Sequence, residues 1–211
     1  MSIINEISEA MMKGKAKQVK QLIPQALEEG IPAQQILNEG LLDAMSIVGE
    51  KFKNNEVFVP EVLVAARAMN AGTTLLKPYL SSDAGESKGK ACIGTVEGDL
   101  HDIGKNLVRM MLEGKGLEVI DLGVDVTAEK FVECVKNEGC QLVCCSALLT
   151  TTMPAMAKVV EGLKEAGLRD SVKVMVGGAP VTPEFAESIG ADAYTVDAAS
   201  AANKAVELLA G

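Results

Sequence analysis

The chain contains one histidine, His101, and its neighbours are of the kind that supports a metal-binding imidazole. Asp99 precedes it by two positions, and Gly104 follows it by three. In an extended loop, residues two apart project to the same side, so the Asp99 carboxylate can hydrogen-bond one ring nitrogen and leave the other free. Such a carboxylate orients a metal-ligating imidazole and raises its basicity. The spacing therefore predicts a metal site built on one histidine.

Other counts restrict the kind of site. One imidazole excludes zinc and di-iron sites that need several histidines. The five cysteines are an odd number with no Cys-x-x-Cys pair, which predicts small buried residues in a reducing cytosol. The loop from Gly94 to Asn106 has neither the Gly-x-Gly-x-x-Gly nor the Gly-Lys-Ser/Thr pattern. A dinucleotide or NTP site is therefore disfavoured.

The residues after 89 predict the elements that position this loop. Short aliphatic runs alternate with helical segments, which indicates a parallel sheet with helices on both faces. Ligands of such a sheet bind beyond the carboxyl ends of its strands, so we expect the chemistry after Val96, Ala147, Val176 and Val196. The predicted strands are 90–96, 117–122, 141–147, 172–176 and 193–196, and the predicted helices are 104–114, 128–139, 154–167, 183–189 and 198–210.

The residues before the polar segment Ser81–Gly89 show only helical spacing, with apolar stripes that predict a bundle of about four helices. Pro60 and Glu61 suit the first turn of the last helix. We interpret Ser81–Gly89 as a linker between two folded domains, 1–88 and 89–211.

Composition excludes several classes of function. The 211 residues are 48% apolar and 23% charged, as in a globular chain. A net charge of −9, no Trp and few other aromatic residues argue against nucleic-acid binding. The first residues lack the apolar core of a signal peptide, and no run is long enough to span a bilayer. We therefore expect a cytoplasmic protein without membrane or nucleic-acid partners.

A loop histidine can simply be a solvated surface residue, but Asp99-Leu100-His101-Asp102-Ile103-Gly104 matches Asp-x-His-x-x-Gly. This pattern resembles the lower-ligand motif of cobalamin-binding domains. The resemblance implies a cobalamin or related corrinoid whose own base is displaced, with His101 as the lower axial ligand of cobalt. The corrin ring would then supply the equatorial nitrogens.

Three later segments extend the resemblance. Ser146 to Met153 is similar to the Ser-x-Leu segment of that family, and Thr152 stands where the methionine synthase version of the domain has a serine hydroxyl bonded to the motif Asp. A Ser/Thr cluster can also simply cap the following helix. Gly177-Gly178 and Ala193 to Ala198 are similar to the remaining segments around the nucleotide tail. The residues implied in catalysis are Asp99, His101 and Thr152, and those implied in cofactor binding are Gly98, Asp99, His101, Asp102, Ile103, Gly104, Ser146, Leu148, Thr150, Gly177, Gly178, Tyr194 and Thr195.

The helical half resembles the cap domain of corrinoid proteins in methyltransferase systems, in Glu39 to Leu41, Val48 to Phe52 and Val59 to Leu63. The resemblance implies a helical bundle cap, 1–88, before a cobalamin-binding domain, 89–211, with a flavodoxin-like, Rossmann-like doubly wound sheet of five parallel strands. Isomerases that share the motif add a large catalytic barrel, which 89 residues cannot form.

The resemblance to methylamine- and methanol-type carriers implies a methyl carrier of one-carbon metabolism, in methanogenesis or acetogenesis. One methyltransferase would transfer a methyl group from its substrate to Co(I), and an acceptor methyltransferase would remove it from methyl-Co(III). A reductive activation protein would be a further partner, and the chain alone would not be an enzyme. The alternative is a cobalamin-dependent sensor, but the chain lacks the second His and the Trp of light-sensing relatives.

Overall fold

The computed structural model describes residues 2–79 and 88–210. Most of the linker predicted at Ser81–Gly89 therefore lies outside the described residues. The chain divides into two units, residues 1–86 with 114–116 and residues 87–113 with 117–211. In the described ranges, no helix is both long and apolar enough to cross a membrane.

The first unit is a bundle of helices whose apolar stripes are buried. Four continuous helical stretches confirm the prediction, although the third contains a π-helical segment that the sequence pattern does not predict. Glu61 accepts a hydrogen bond from the Phe58 backbone N–H and caps the last long helix at its predicted start. The elements are α1 (Ile3–Met12), α2 (Ala16–Glu28), α3 (Ala33–Gln35), the π segment (Ile36–Leu42), α4 (Asp43–Lys53), α5 (Val59–Leu76) and a 3₁₀ turn (Lys77–Tyr79).

The second unit is a five-stranded parallel sheet with the order β2-β1-β3-β4-β5. This confirms the predicted doubly wound α/β fold. The strands are β1 (Lys90–Val96), β2 (Glu118–Val126), β3 (Leu142–Ser146), β4 (Lys173–Gly177) and β5 (Ala193–Tyr194), and the helices are α6 (Ile103–Gly114), α7 (Ala128–Glu138), α8 (Pro154–Glu165), α9 (Pro183–Ile189) and α10 (Ala198–Ala210).

The sheet is buried on both faces, which explains the near-continuous apolar runs of its central strands. On one face Cys92, Val143 and Val174 pack in a single core with Phe131 of α7 and Met156 of α8. The alternate residues of the same strands, such as Ile93, Leu142 and Met175, are also buried. Helices therefore cover both sides, as predicted.

The strand order reverses between β1 and β3, so the connections after these two strands lead in different directions. In a sheet of this order the crevice for a ligand opens at that point, beyond the carboxyl ends of the strands. The Asp99–Gly104 loop follows β1, and the segment from Ala147 to Met153 follows β3. The topology thus brings the two segments with the strongest sequence signals to one crevice.

The end of β2 predicted from the sequence is wrong. Strand β2 continues four residues beyond its predicted end at 122, and its pairing with β1 is irregular between Ile93 and Val96. Gly123 and Asp125, which have the composition of a turn, lie in this extension and both have positive φ. Tertiary pairing with β1 overrides the local turn signal.

All five cysteines are buried and free. Burial raises the pKa of the Cys144 thiol to about 12 and that of Cys145 further. These two residues are therefore protonated and unreactive at neutral pH, as predicted for small core residues.

Candidate functional site

Asp99 is the most densely bonded side chain of the site, and it is fully buried. Its Oδ1 accepts from the His101 backbone N–H (3.1 Å) and lies 2.7 Å from His101 Nδ1. Its Oδ2 accepts from the backbone N–H groups of Leu148 (2.8 Å) and Leu149 (3.3 Å) and lies 2.8 Å from the Thr152 hydroxyl. One carboxylate therefore joins the loop after β1 to the loop after β3.

The environment of Asp99 keeps it ionised. Burial alone would raise the pKa of Asp99, but hydrogen bonds from Leu148, His101 and Thr152 outweigh it and hold the pKa below its usual range. Because the folded pKa is lowered, the stability contributed by this carboxylate is present above the unfolded pKa of about 3.9. It is lost as the pH falls through the folded value.

An ionised Asp99 fixes which nitrogen of His101 can bind a metal. A carboxylate only accepts hydrogen bonds, so Nδ1 carries the proton of the neutral ring and the lone pair lies on Nε2. The imidazole is 52% exposed, and within 2–79 and 88–210 Nε2 has no hydrogen-bond partner. In its neutral form the half-exposed ring is therefore oriented by Asp99 and carries its lone pair on Nε2.

Two residues that the sequence did not indicate hold the backbone of this loop. The buried Thr95, in β1, donates its hydroxyl to the His101 carbonyl (2.7 Å). Asp125, at the end of β2, accepts from the Gly98 N–H (2.7 Å) and donates its own N–H to the Asp99 carbonyl (3.0 Å). Asp125 has φ +53°, a value unusual for a residue other than glycine. These bonds fix the loop on both sides of Asp99.

An ion pair with a buried lysine, also not predicted, attaches α6 to β2 beside the loop. Lys105 is 3% exposed and pairs with Asp121, which also binds Arg109 Nη1 at 3.0 Å. Burial would raise the pKa of Asp121, but Lys105, the Gly123 N–H and Arg109 keep it below its usual range. The first turns of α6 are therefore held by charge as well as by packing.

The other residues implied by the resemblance lie at the same edge of the sheet. Ser146 ends β3 and pairs in register with Gly177, which ends β4. Gly178 follows with φ +132°, and Thr195 follows β5. Asp102 accepts a hydrogen bond from the Asn106 side chain, and Ile103 and Gly104 begin α6. Leu148 and Thr150 lie in the exposed loop after β3. Tyr194 packs against the core.

Exposed apolar residues of the second unit lie along the carboxyl edge of the sheet, where a large cofactor could cover them. Leu100, Ile103 and Val196 are 72%, 74% and 78% exposed. Val124, Leu148 and Leu149 are 36%, 42% and 42% exposed. Within 88–210, all six of these exposed large hydrophobic residues lie at or beyond the carboxyl end of a strand. An apolar edge beside one polar, oriented imidazole fits a large, partly apolar metal macrocycle.

This fold and the apolar edge around His101 define a cofactor-binding domain of the doubly wound α/β class. A model described as a B12 binding domain matches residues 89–207, and a second model with the same description matches residues 3–77. The chain belongs to the B12-binding family, as a corrinoid protein of methyltransferase systems. It therefore has a corrinoid cofactor.

Relatives of known class match nearly the whole chain. A corrinoid protein of Desulfitobacterium hafniense is 42% identical over 99% of this chain and 96% of its own. The dimethylamine corrinoid protein of Methanosarcina barkeri is 44% identical over 99% of this chain and 98% of its own. The structure of the methanol:cobalamin methyltransferase complex of M. barkeri matches with a TM-score of 0.91 and 32% identity, over 99% of this chain and 80% of that chain.

Thr152→Val tests whether the Thr152 hydroxyl stabilises the Asp99 carboxylate. The single hydroxyl proton of Thr152 can go to Asp99 or to the Leu149 carbonyl, 2.9 Å away, and valine has a similar shape without it. We expect the unfolding free energy to fall by about 1–3 kcal/mol, because a buried carboxylate loses a donor. Urea denaturation of the cofactor-free protein measures this. Thr152→Ser, which keeps the hydroxyl, should lose much less, and equal losses would contradict the role of the hydroxyl.

Proposed function

We propose that this protein is a methyl carrier that holds its corrinoid with the cofactor's own base displaced and His101 as lower axial ligand. In this role one methyltransferase would transfer a methyl group to Co(I) of the bound corrinoid, and a second would remove it from methyl-Co(III). One observation supports the proposal above others: buried Asp99 lies 2.7 Å from Nδ1 of the half-exposed His101 ring, and Nε2 has no partner among the described residues.

In this proposal residues 89–211 bind the cofactor and residues 1–88 form a cap domain. The glycines and small polar residues at the ends of β3, β4 and β5, including Ser146, Gly177, Gly178 and Thr195, would accommodate the nucleotide tail. The exposed apolar residues, including Leu100 and Leu148, would contact the macrocycle. Gly98, Asp102, Ile103, Gly104, Thr150 and Tyr194 complete the proposed cofactor-binding set.

When bound, the corrinoid supplies a cobalt ion that accepts and releases a methyl group. The contribution of the protein is control of one ligand nitrogen. With the proton held at Nδ1 by Asp99, Nε2 is a basic ligand. A proton added to the His101–Asp99 pair gives an imidazolium, which binds no metal, and loss of that proton restores the ligand. The Thr152 hydroxyl stabilises the carboxylate through this exchange.

The partners follow from the same proposal. A cysteine nucleophile could use His101 as its base only at the expense of the cobalt ligand, so we assign bond cleavage in the methyl donor to another protein. A similar chain is part of the methanol:cobalamin methyltransferase complex of M. barkeri. We therefore propose a substrate-specific methyltransferase, an acceptor methyltransferase and a reductive activation protein as partners, with this chain inactive on its own.

A methyl-transfer assay tests the carrier function. The corrinoid-loaded protein, reduced to Co(I), should be methylated by a cognate methyltransferase and its methyl donor, and the corrin absorption spectrum follows the reaction. A second methyltransferase should then demethylate it. Methyl transfer from the donor to this protein without any methyltransferase would contradict the proposal.

A further inference from the structure

Three buried thiols meet in the second unit, apart from the residues that hold the corrinoid site. Cys92 of β1, Cys134 of α7 and Cys140 before β3 have sulfur atoms within 4.8 Å of one another. They are 0%, 8% and 3% exposed, and the Sγ atoms of Cys134 and Cys140 are 3.8 Å apart. Cys92 is separated from the other two by more than forty residues of sequence, so only the fold brings them together.

The backbone around this thiol cluster is held in place. Gly139 ends α7 with φ +67° and turns the chain so that Cys140 returns to the sheet. Gln141 then donates its N–H to the Lys90 carbonyl (2.8 Å), two residues before Cys92. Lys90 Nζ also pairs with Glu138 at 3.2 Å, which fixes the end of α7 against β1.

The dimensions of the thiol cluster match those of a metal–thiolate centre. Sulfurs about 2.3 Å from one metal ion lie about 3.8–4.0 Å apart in tetrahedral or trigonal geometry. One sulfur pair is already at 3.8 Å, and rotation of a cysteine χ1 can shorten the others. No other group of three His, Cys, Asp or Glu ligand atoms this close occurs in the described part of the chain.

The ligand set restricts the ion. It contains sulfur only, which excludes hard cations that prefer oxygen. Structural zinc sites take four ligands, whereas this cluster offers three and is closed to water by burial. Among the soft ions that thiolates select, Cu(I) suits three sulfur ligands.

We propose that Cys92, Cys134 and Cys140 form a closed three-thiolate site for one Cu(I) ion. Each Cu–S bond replaces an S–H bond, and the protons leave to the solvent, while no electron is transferred. Affinity therefore falls as the pH falls. The ion would tie α7 and the start of β3 to β1, at a distance from the corrinoid.

Copper binding by the corrinoid-loaded protein tests this site. The protein is kept reduced with a phosphine, exposed to Cu(I) in the presence of a Cu(I) chelator, and separated by gel filtration. We expect about one copper per chain, with three sulfur ligands in the X-ray absorption spectrum. Cys134→Ala and Cys140→Ala should each weaken binding at least about tenfold.

Cys145→Ala is the matched control, because Cys145 is equally buried and belongs to the same core but not to the thiol cluster. It should bind copper like the unmodified protein. Corrinoid content and circular dichroism establish that each variant is folded. Failure of the unmodified protein to retain copper, equal retention by Cys134→Ala, or an absorption spectrum without three sulfur ligands would each overturn the proposal.

Discussion

Asp99→Asn is expected to weaken coordination of the cobalt by His101 while leaving the fold of the second unit recognisable. Asparagine has the shape of aspartate, but only one of its terminal atoms accepts hydrogen bonds. In the folded protein Leu148, Leu149 and Thr152 all donate to Asp99 Oδ2, so the amide oxygen is best placed there. The amide nitrogen then faces His101.

That arrangement reverses the tautomer of the ring. The amide N–H donates to Nδ1, so the ring proton moves to Nε2 and blocks the lone pair that would bind cobalt. Loss of a partner that orients a metal-ligating imidazole weakens the metal bond by about 10- to 100-fold. The corrin absorption spectrum, which separates imidazole-bound from imidazole-free cobalt, measures the change.

The same substitution changes stability as a function of pH. Asp99 has a lowered pKa, so its contribution is present at neutral pH and is lost in acid. Asp99→Asn should therefore be less stable than the unmodified protein at neutral pH, and the difference should shrink as acid protonates Asp99. Glu97→Gln is the control, since exposed Glu97 makes only a 3.6 Å pair with Lys158. If both variants keep the imidazole-bound spectrum, Asp99 does not set the tautomer.

Gly178→Ala is expected to disrupt the crevice itself. A Cβ at this position would overlap the Ala147 carbonyl oxygen, and φ of +132° is strained for any L residue. The neighbour is backbone and cannot rotate away, so the loop after β3 must shift. Leu148 and Leu149 follow Ala147 directly, so the shift also moves two of the donors that hold Asp99.

Gly178→Ala should lower the unfolding free energy by about 3–5 kcal/mol, because overpacking and backbone strain both act at this position. Corrinoid binding, followed by gel filtration with cobalamin, should weaken at least about tenfold because the donors of the crevice move. Gly139→Ala separates the two causes, since Gly139 has φ +67° but no atom within 4 Å of the added Cβ. It should cost only about 1–2 kcal/mol. Comparable losses in the two variants would show that the clash with Ala147 does not matter.

The sequence predicted the parts of this site that are expressed in local spacing. His101, with Asp99 two residues earlier, is visible in a short segment, and the alternation of strands and helices places it at the carboxyl end of β1. The strands were predictable because strands that are buried on both faces are continuous apolar runs in the sequence.

Other parts depend on contacts between distant residues. Asp125 supports the loop from β2, but its neighbours look like a turn, and only pairing with β1 makes them strand. Thr95 looks like any β-branched strand residue, and its role depends on where the His101 carbonyl lies. Cys92, Cys134 and Cys140 are likewise unremarkable in sequence because their proximity is produced by the sheet.

We propose His101 as the lower axial ligand of cobalt. The EPR spectrum of the Co(II) form of the corrinoid-loaded protein tests it most directly, with ¹⁵N-labelled protein and unlabelled cofactor. We expect coupling to a single ¹⁵N nucleus from the protein, which disappears in His101→Ala. Coupling to ¹⁴N of the cofactor's own base, or ¹⁵N coupling that persists in His101→Ala, would contradict it.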